Sequence, residues 1–186
     1  EVCEGQQFDM EFETRDDVSI DEYIEMIALK TSVLLGGALK IGAILADASE
    51  ENAEHLYEFG KNLGIAFQLQ DDLLDAFGDP EKFGKKVGGD IAANKKTFLM
   101  LSALHSENRE KSDELRQLIR SNHLPEDLKI KEVLSIYEDL SIQEKTRKEM
   151  DKFYSNAITH LNAIKGDEKM KHLLKALSDS LMVREH

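Results

Sequence analysis

Apolar residues in this chain recur at three- and four-residue spacings, and two-residue alternation is nowhere sustained, which is the period of helices rather than strands. Ser19-Ile20-Asp21-Glu22 reads as a capping box that opens a helix over 20–46. Gly36, Gly37 and Gly42 weaken that helix intrinsically but admit the close approach of another backbone. A second helix is predicted from Ser49 through Asp75 or Phe77, with Gly60 and Gly64 one turn apart. "GDPEKFGKKVGGD" over 78–90 is the clear Gly/Lys-rich loop. Helices resume over 91–105 and 107–121, and "NHLPED" turns the chain with Pro125 at a first helical position. Ser141 to Glu144 reads as another capping box, opening a helix to Lys165 that stops at Gly166, and a last helix covers 168–183. No internal repeat interrupts this pattern. The predicted fold class is all-α, with one domain over residues 1–186.

Composition narrows the picture. Hydrophobic residues make up 41% and charged residues 33% of 186, an ordinary globular balance. Every apolar stretch is interrupted before it reaches membrane-spanning length; the longest, "TSVLLGGAL" from Thr31 to Leu39, lies between Lys30 and Lys40. No membrane span is therefore expected. The single cysteine, Cys3, excludes an internal disulfide framework and fits a reducing, cytoplasmic compartment; it reads as a buried or incidental thiol. A net charge of −13 excludes the basic footprint of a non-specific nucleic-acid binder. The six histidines show no pair at metal-ligand spacing in the sequence. Glu1-Val2-Cys3 carries neither an initiator Met nor a signal-like core, so the chain is expected to start inside something longer.

"FQLQDDLLDAF" (67–77) carries the candidate chemistry. With Asp71 set at zero on a helical wheel, Asp75 falls at about 40°, Gln68 at about 60° and Asp72 at about 100°. Leu69, Leu73, Ala66 and Ala76 take the opposite side, an apolar back that faces a core. Three carboxylates this close raise one another's pKa values unless something positive resolves the repulsion. Divalent cations do so, and oxygen-only ligands select hard ions such as Mg²⁺. Acidic triplets also describe solvated helix faces, and an EF-hand loop is a further possibility that Leu73 and Leu74 break. The company shifts the balance: Lys82, Lys85, Lys86, Lys95 and Lys96 follow in the loop and the next helix start. Lysines bind phosphate as point charges, and metal with lysines makes a diphosphate site.

Four ordered motifs then resemble the trans-isoprenyl diphosphate synthases, the farnesyl, geranylgeranyl and polyprenyl diphosphate synthase family. "GQQFD" (5–9) is similar to its Gly-Gln-x-x-Asp segment, and Lys30-Thr31 to its Lys-Thr pair. "FQLQDDLLD" resembles its second aspartate-rich motif, and "GKKVGGD…NKKT" the lysine-bearing segment after it. The motifs cover residues 1 to 105; beyond them the likeness is in helical pattern only. The resemblance implies an isoprenoid-synthase-like helical bundle and a prenyltransferase that joins an allylic diphosphate to isopentenyl diphosphate. It implies Mg²⁺ as cofactor, ligated by Asp71 and Asp75, with Asp72 a further ligand or an acceptor behind them. Lys30, Lys85 and Lys95 would contact the allylic diphosphate, Gln68 and Thr31 would sit near the reacting carbons, and Phe67 would pack on the homoallylic substrate. Asp90 would orient a lysine or a metal-bound water. Gln6 and Asp9 divide evenly between site-wall and structural roles. The family is usually homodimeric, and a homodimer is expected here.

The departure from the pattern counts as much. The family's first aspartate-rich motif and its two arginines precede the Gly-Gln segment, and neither stands in this chain. "RDDVSID" (15–21) spaces its acids wrongly and reads as capping. The chain therefore resembles a C-terminal portion, and these 186 residues alone are expected to have little or no prenyl transfer activity. The lysine-bearing segment disfavours a terpene cyclase. An intact second motif disfavours a non-catalytic subunit of a heteromeric synthase. Product length is not legible.

Overall fold

The computed structural model describes residues 1–79, 87–121 and 123–183. Among them there is helix and turn but no strand, as the spacing of apolar residues predicts. The helices are α1 (Val2–Phe12), α2 (Ile20–Ile27), a π-helical turn (Ala28–Ser32), α3 (Val33–Leu45) and α4 (Glu50–Phe77). They are followed by α5 (Gly89–Ala92), α6 (Phe98–Leu104), α7 (Arg109–Arg120), α8 (Glu126–Asp139), α9 (Ile142–Ala163) and α10 (Glu168–Met182).

α4 is the axis, packed chiefly against α3 on one side and α9 on the other. Its apolar back supplies the core: Leu69 and Ile65 join Phe12, Tyr23, Met26, Ile27, Phe98 and Leu101 beneath α1, α2 and α6. Leu73 and Ala76 join Leu99, Leu115, Val133 and Tyr137 further along. Phe59 and Leu63 meet Ala157 and Leu161 of α9. Each fully buried side chain of this size contributes about 1.5–3 kcal/mol, so the rotation of α4 is strongly fixed.

Ser19 caps α2 as the sequence predicts, with both halves of the capping box formed. Three expectations need correction. The helix over 20–46 is not uniform: Ala28–Ser32 widens into a π turn, and the Ser32 hydroxyl donates to the Ile27 carbonyl five residues back at 3.3 Å. Two glycines press on this turn. A Cβ on Gly5 would stand 2.7 Å from the Lys30 Cα, and one on Gly64 would stand 2.8 Å from the Ser32 Cα. The helix over 91–105 is broken by Asn94, at φ 55°, and restarts only where the Thr97 hydroxyl caps Met100 N–H. At Ser141 no side-chain cap forms: buried Leu140 and Ile142 pin both sides, and Ser141 makes the turn in the left-handed region at φ 52°.

α1 is a helix that the sequence pattern does not predict, and Pro125 is the N-cap of α8 rather than its first residue. Cys3 is exposed, not buried. His55 and His160, 105 positions apart, meet across α4 and α9 with their Nδ1 atoms 3.1 Å apart. Within the helical run Ile20–Leu45 an 18-residue window reaches a mean hydropathy of 1.5, long and apolar enough to cross a membrane by length and composition; core helices of soluble proteins meet the same criterion. The outward side of α3 exposes Leu34, Ile41, Ile44 and Leu45.

Candidate active site

Burial across the aspartate face of α4 follows the wheel angle. Asp71 is exposed, Asp75 and Gln68 are half-buried, and Asp72, nearest the apolar back, is 3% exposed. Phe67 is half-buried one residue before Gln68. The chain after the loop folds back onto this face. Gly88, at φ 87°, donates its N–H to the Asp75 carbonyl at 2.6 Å, and Asp90 N–H donates to Asp75 Oδ2 at 2.9 Å. A side chain at Gly88 would collide with Ile130, which is one reason a glycine stands there.

Two lysines reach the same region. Lys95 Nζ lies 3.3 Å from both carboxylate oxygens of Asp90. Lys30 Nζ, presented by the π turn, lies 2.6 Å from Asp9 Oδ2 on α1. Asp9, Phe12 and Glu13 face Ala93, Asn94, Lys95 and Lys96 across a groove of about 470 Å³. Asp9 therefore pairs with one lysine and faces the other, and the Gly5–Asp9 motif and the Lys-Thr pair, distant in sequence, are in contact. Thr31 is half-buried and Gln6 exposed. Lys85, with Lys82 and Lys86, lies outside the described residues.

The electrostatics separate the three aspartates. Burial pushes the Asp72 carboxyl up to about 7 against the pull of Tyr23, Lys95 and the Phe98 N–H. Burial also raises Asp75, offset by the hydrogen bond from Asp90 N–H. Burial pulls Lys95 down, yet the carboxylates of Asp90, Asp72 and Asp9 outweigh it and raise its pKa above the ordinary lysine value.

Asp72 does not project with Asp71. Its Oδ2 accepts the Tyr23 hydroxyl in a short hydrogen bond and the Phe98 N–H at 3.4 Å. Its Oδ1 is buried without a partner among the described residues. Of the two alternatives open for Asp72 in the sequence, this surrounding favours an acceptor behind the site. Tyr23 was not singled out, although it stands seven residues before Lys30 and so on the same side of the helix.

Hard oxygens on Asp71 and Asp75 suit Mg²⁺, which takes one or two protein carboxylates and leaves its other positions to water and phosphate. No group of three His, Cys, Asp or Glu side chains among the described residues stands together as a ready cage. A separate cavity of about 430 Å³ opens on another side of α4, between Leu73, Phe77, Met150 and Met182, away from this chemistry.

A family model described as polyprenyl synthetase matches residues 1–137. A short chain isoprenyl diphosphate synthase of Methanocaldococcus jannaschii is 43% identical over 136 residues, 73% of this chain and 41% of that protein. A geranylfarnesyl diphosphate synthase of Natronomonas pharaonis is 33% identical over 186 residues, all of this chain and 52% of that protein. The crystal structure of a geranylgeranyl pyrophosphate synthase superposes with a TM-score of 0.92 at 44% identity, covering 100% of this chain and 57% of the other. The chain spans about half the length of the curated relatives it matches.

Proposed function

Because the chain belongs to the polyprenyl synthetase family, we propose that it carries the Mg²⁺- and diphosphate-binding side of a prenyltransferase that extends an allylic diphosphate with isopentenyl diphosphate. One juxtaposition supports the reading above all: the half-buried carboxylate of Asp75, one helical turn from exposed Asp71, receives the Asp90 N–H, Asp90 holds Lys95, and Asp9, across the groove that Lys95 lines, holds Lys30. Unpaired acids on a solvated face would need none of this.

In this reading Asp71 and Asp75 hold the metal. When bound, Mg²⁺ supplies countercharge to the diphosphate as the allylic C–O bond breaks. Lys30 and Lys95 contribute fixed positive charge to the same oxygens, and Lys85 joins them by its motif. Asp90 and Asp9 keep the two ammonium groups in place when no substrate is present. The bonding electron pair leaves with the diphosphate, and Gln68 and Thr31 face the carbocation left behind. The double bond of isopentenyl diphosphate, packed on Phe67, supplies the pair for the new C–C bond, and a proton departs to restore an alkene. The product is one five-carbon unit longer.

The reading extends to a cytoplasmic homodimer. The lone cysteine, which fits a reducing compartment, supports the first part. The exposed apolar side of α3 supports either a subunit contact or a wall for the prenyl tail.

Calorimetric titration of the chain with geranyl diphosphate tests this. Binding is expected with Mg²⁺, not with EDTA, and is expected to be lost in Asp71→Ala. Equal binding in EDTA, or by Asp71→Ala, would refute it.

A further inference from the structure

The buried end of the aspartate motif ties together the elements that present the site. Asp72 sits on α4 at the inner, buried edge of the arc that carries the two carboxylates assigned to metal. Its Oδ2 receives the Tyr23 hydroxyl from α2 and the Phe98 N–H from the start of α6. α2 continues into the π turn that presents Lys30 and Thr31. The segment entering α6 presents Lys95, three residues before Phe98. One carboxylate oxygen thus joins the metal-bearing helix, the Lys-Thr turn and the Lys95 segment. Tyr23 is 1% exposed and packs beside Met26, Ile27 and Leu69, so its hydroxyl has little freedom to find another acceptor.

A buried carboxylate that loses a donor does not stay where it was. Its oxygens are left in a site of low polarity, Oδ1 already unpartnered and Oδ2 holding only the long Phe98 N–H bond, so the carboxyl group has to turn to find another donor. The donor it keeps is the Phe98 N–H, on the segment that also presents Lys95, so the side chain and its helix turn are drawn toward that segment. That movement would carry Asp71 and Asp75 with it.

We propose that Tyr23 is a positioning residue for the metal and diphosphate site, acting through Asp72 to set the face of α4 against Lys30 and Lys95. The inference rests on the reading under Proposed function. Tyr23 touches neither metal nor substrate in it.

The test is a double-mutant cycle on the chain, with Tyr23→Phe, Asp72→Ala and the pair; alanine is used because an asparagine oxygen would still accept the Tyr23 hydroxyl. Mg²⁺-dependent binding of inorganic pyrophosphate is measured by calorimetry at pH 8, well below each protein's melting temperature. Tyr23→Phe keeps the ring and its packing, and a melting curve checks that it folds. It is expected to weaken Mg²⁺-dependent binding about tenfold, the scale of one hydrogen bond to a charged group, and to raise the Mg²⁺ concentration needed for half-saturation. The double variant is expected to bind within about threefold of Asp72→Ala alone, because the hydroxyl acts only through that carboxylate. Additive losses, or a lowered melting temperature with an unchanged Mg²⁺ midpoint, would overturn the positioning role while leaving the metal site standing. If the wild-type chain binds no Mg²⁺-pyrophosphate, the reading of the site falls and this inference falls with it.

Discussion

Three helical glycines make a prediction with opposite signs. Alanine in place of glycine inside a helix gains up to about 1 kcal/mol of backbone entropy and propensity. At Gly37 and Gly42 a Cβ meets nothing within 4 Å, so Gly37→Ala and Gly42→Ala should each stabilise the chain by about 0.5–1 kcal/mol. At Gly5 the new carbon would stand 2.7 Å from the Lys30 Cα and 2.8 Å from the Leu29 carbonyl carbon, with the Lys30 nitrogen nearer still. Ordinary contact begins near 3.4 Å, so the shortfall at the Lys30 Cα is about 0.7 Å. These are backbone atoms of the π turn and cannot rotate away. Overpacking of this kind costs about 1–3 kcal/mol, and subtracting a helical gain of about 1 kcal/mol leaves Gly5→Ala less stable by up to about 2 kcal/mol. The Asp9–Lys30 pair, spanning the same two elements, should loosen with it. Urea unfolding followed by helical circular dichroism gives both midpoint and slope. Gly5→Ala as stable as Gly37→Ala would refute the claim that α1 is wedged onto the turn that presents Lys30.

Three further outcomes are expected. Ser19→Ala removes the hydroxyl half of the capping box, keeping the backbone N–H bond to Glu22, and should cost about 1 kcal/mol in the same assay; no shift in midpoint would mean that the hydroxyl cap does not hold the start of α2. Leu69→Ala, at a fully buried position behind the aspartates, should cost about 2–5 kcal/mol, and a loss under 1 kcal/mol would mean that the back of α4 is not the core. For Asp72, the folded-state pKa is raised from 3.8 to about 7, so the folded chain holds a proton that the unfolded chain releases. In metal-free buffer this contribution is complete below about pH 4 and is lost as pH rises through about 7, by at most about 4 kcal/mol. The stability difference between wild type and Asp72→Asn should follow that profile between pH 4 and 8; a flat difference would show that Asp72 ionises freely.

Helix positions were legible wherever a periodic apolar face and a local cap coincided. α4 and the start of α2 are the clearest cases, since Ser49 and Ser19 sit at the ends of long regular patterns. Breaks set by tertiary contact were harder to read. The π turn follows from Gly5 and Gly64 pressing on residues far from them in sequence, and nothing within 28–32 announces it. The break at Asn94 had a local signal, an αL-tolerant residue followed by a capping threonine, which the apolar run from Phe98 obscured. Ser141 misled for the converse reason: a capping pattern was present, but short connections to two buried neighbours left no room for it. The candidate site divides the same way. Residues with motif spacing were named, whereas Tyr23 acts through a partner 49 positions away.

The aspartate helix shows how one motif can carry two jobs. Its three acids span about 100° of arc, with the buried back of α4 centred near 180°. An arc that wide, starting at the most exposed position, has to end at the core boundary. Asp71 at the outer edge stays in water, where a hydrated divalent ion can reach it with little desolvation. Asp72 at the inner edge can enter the core only if donors meet it, because an unpaired buried carboxylate is among the most costly groups to fold around. Tyr23 and the Phe98 N–H meet that need, and they come from the two segments that also present Lys30 and Lys95. Adjacent acids one residue apart in sequence thus face opposite media. The outer one is placed for chemistry, and the inner one fixes the elements on which that chemistry depends.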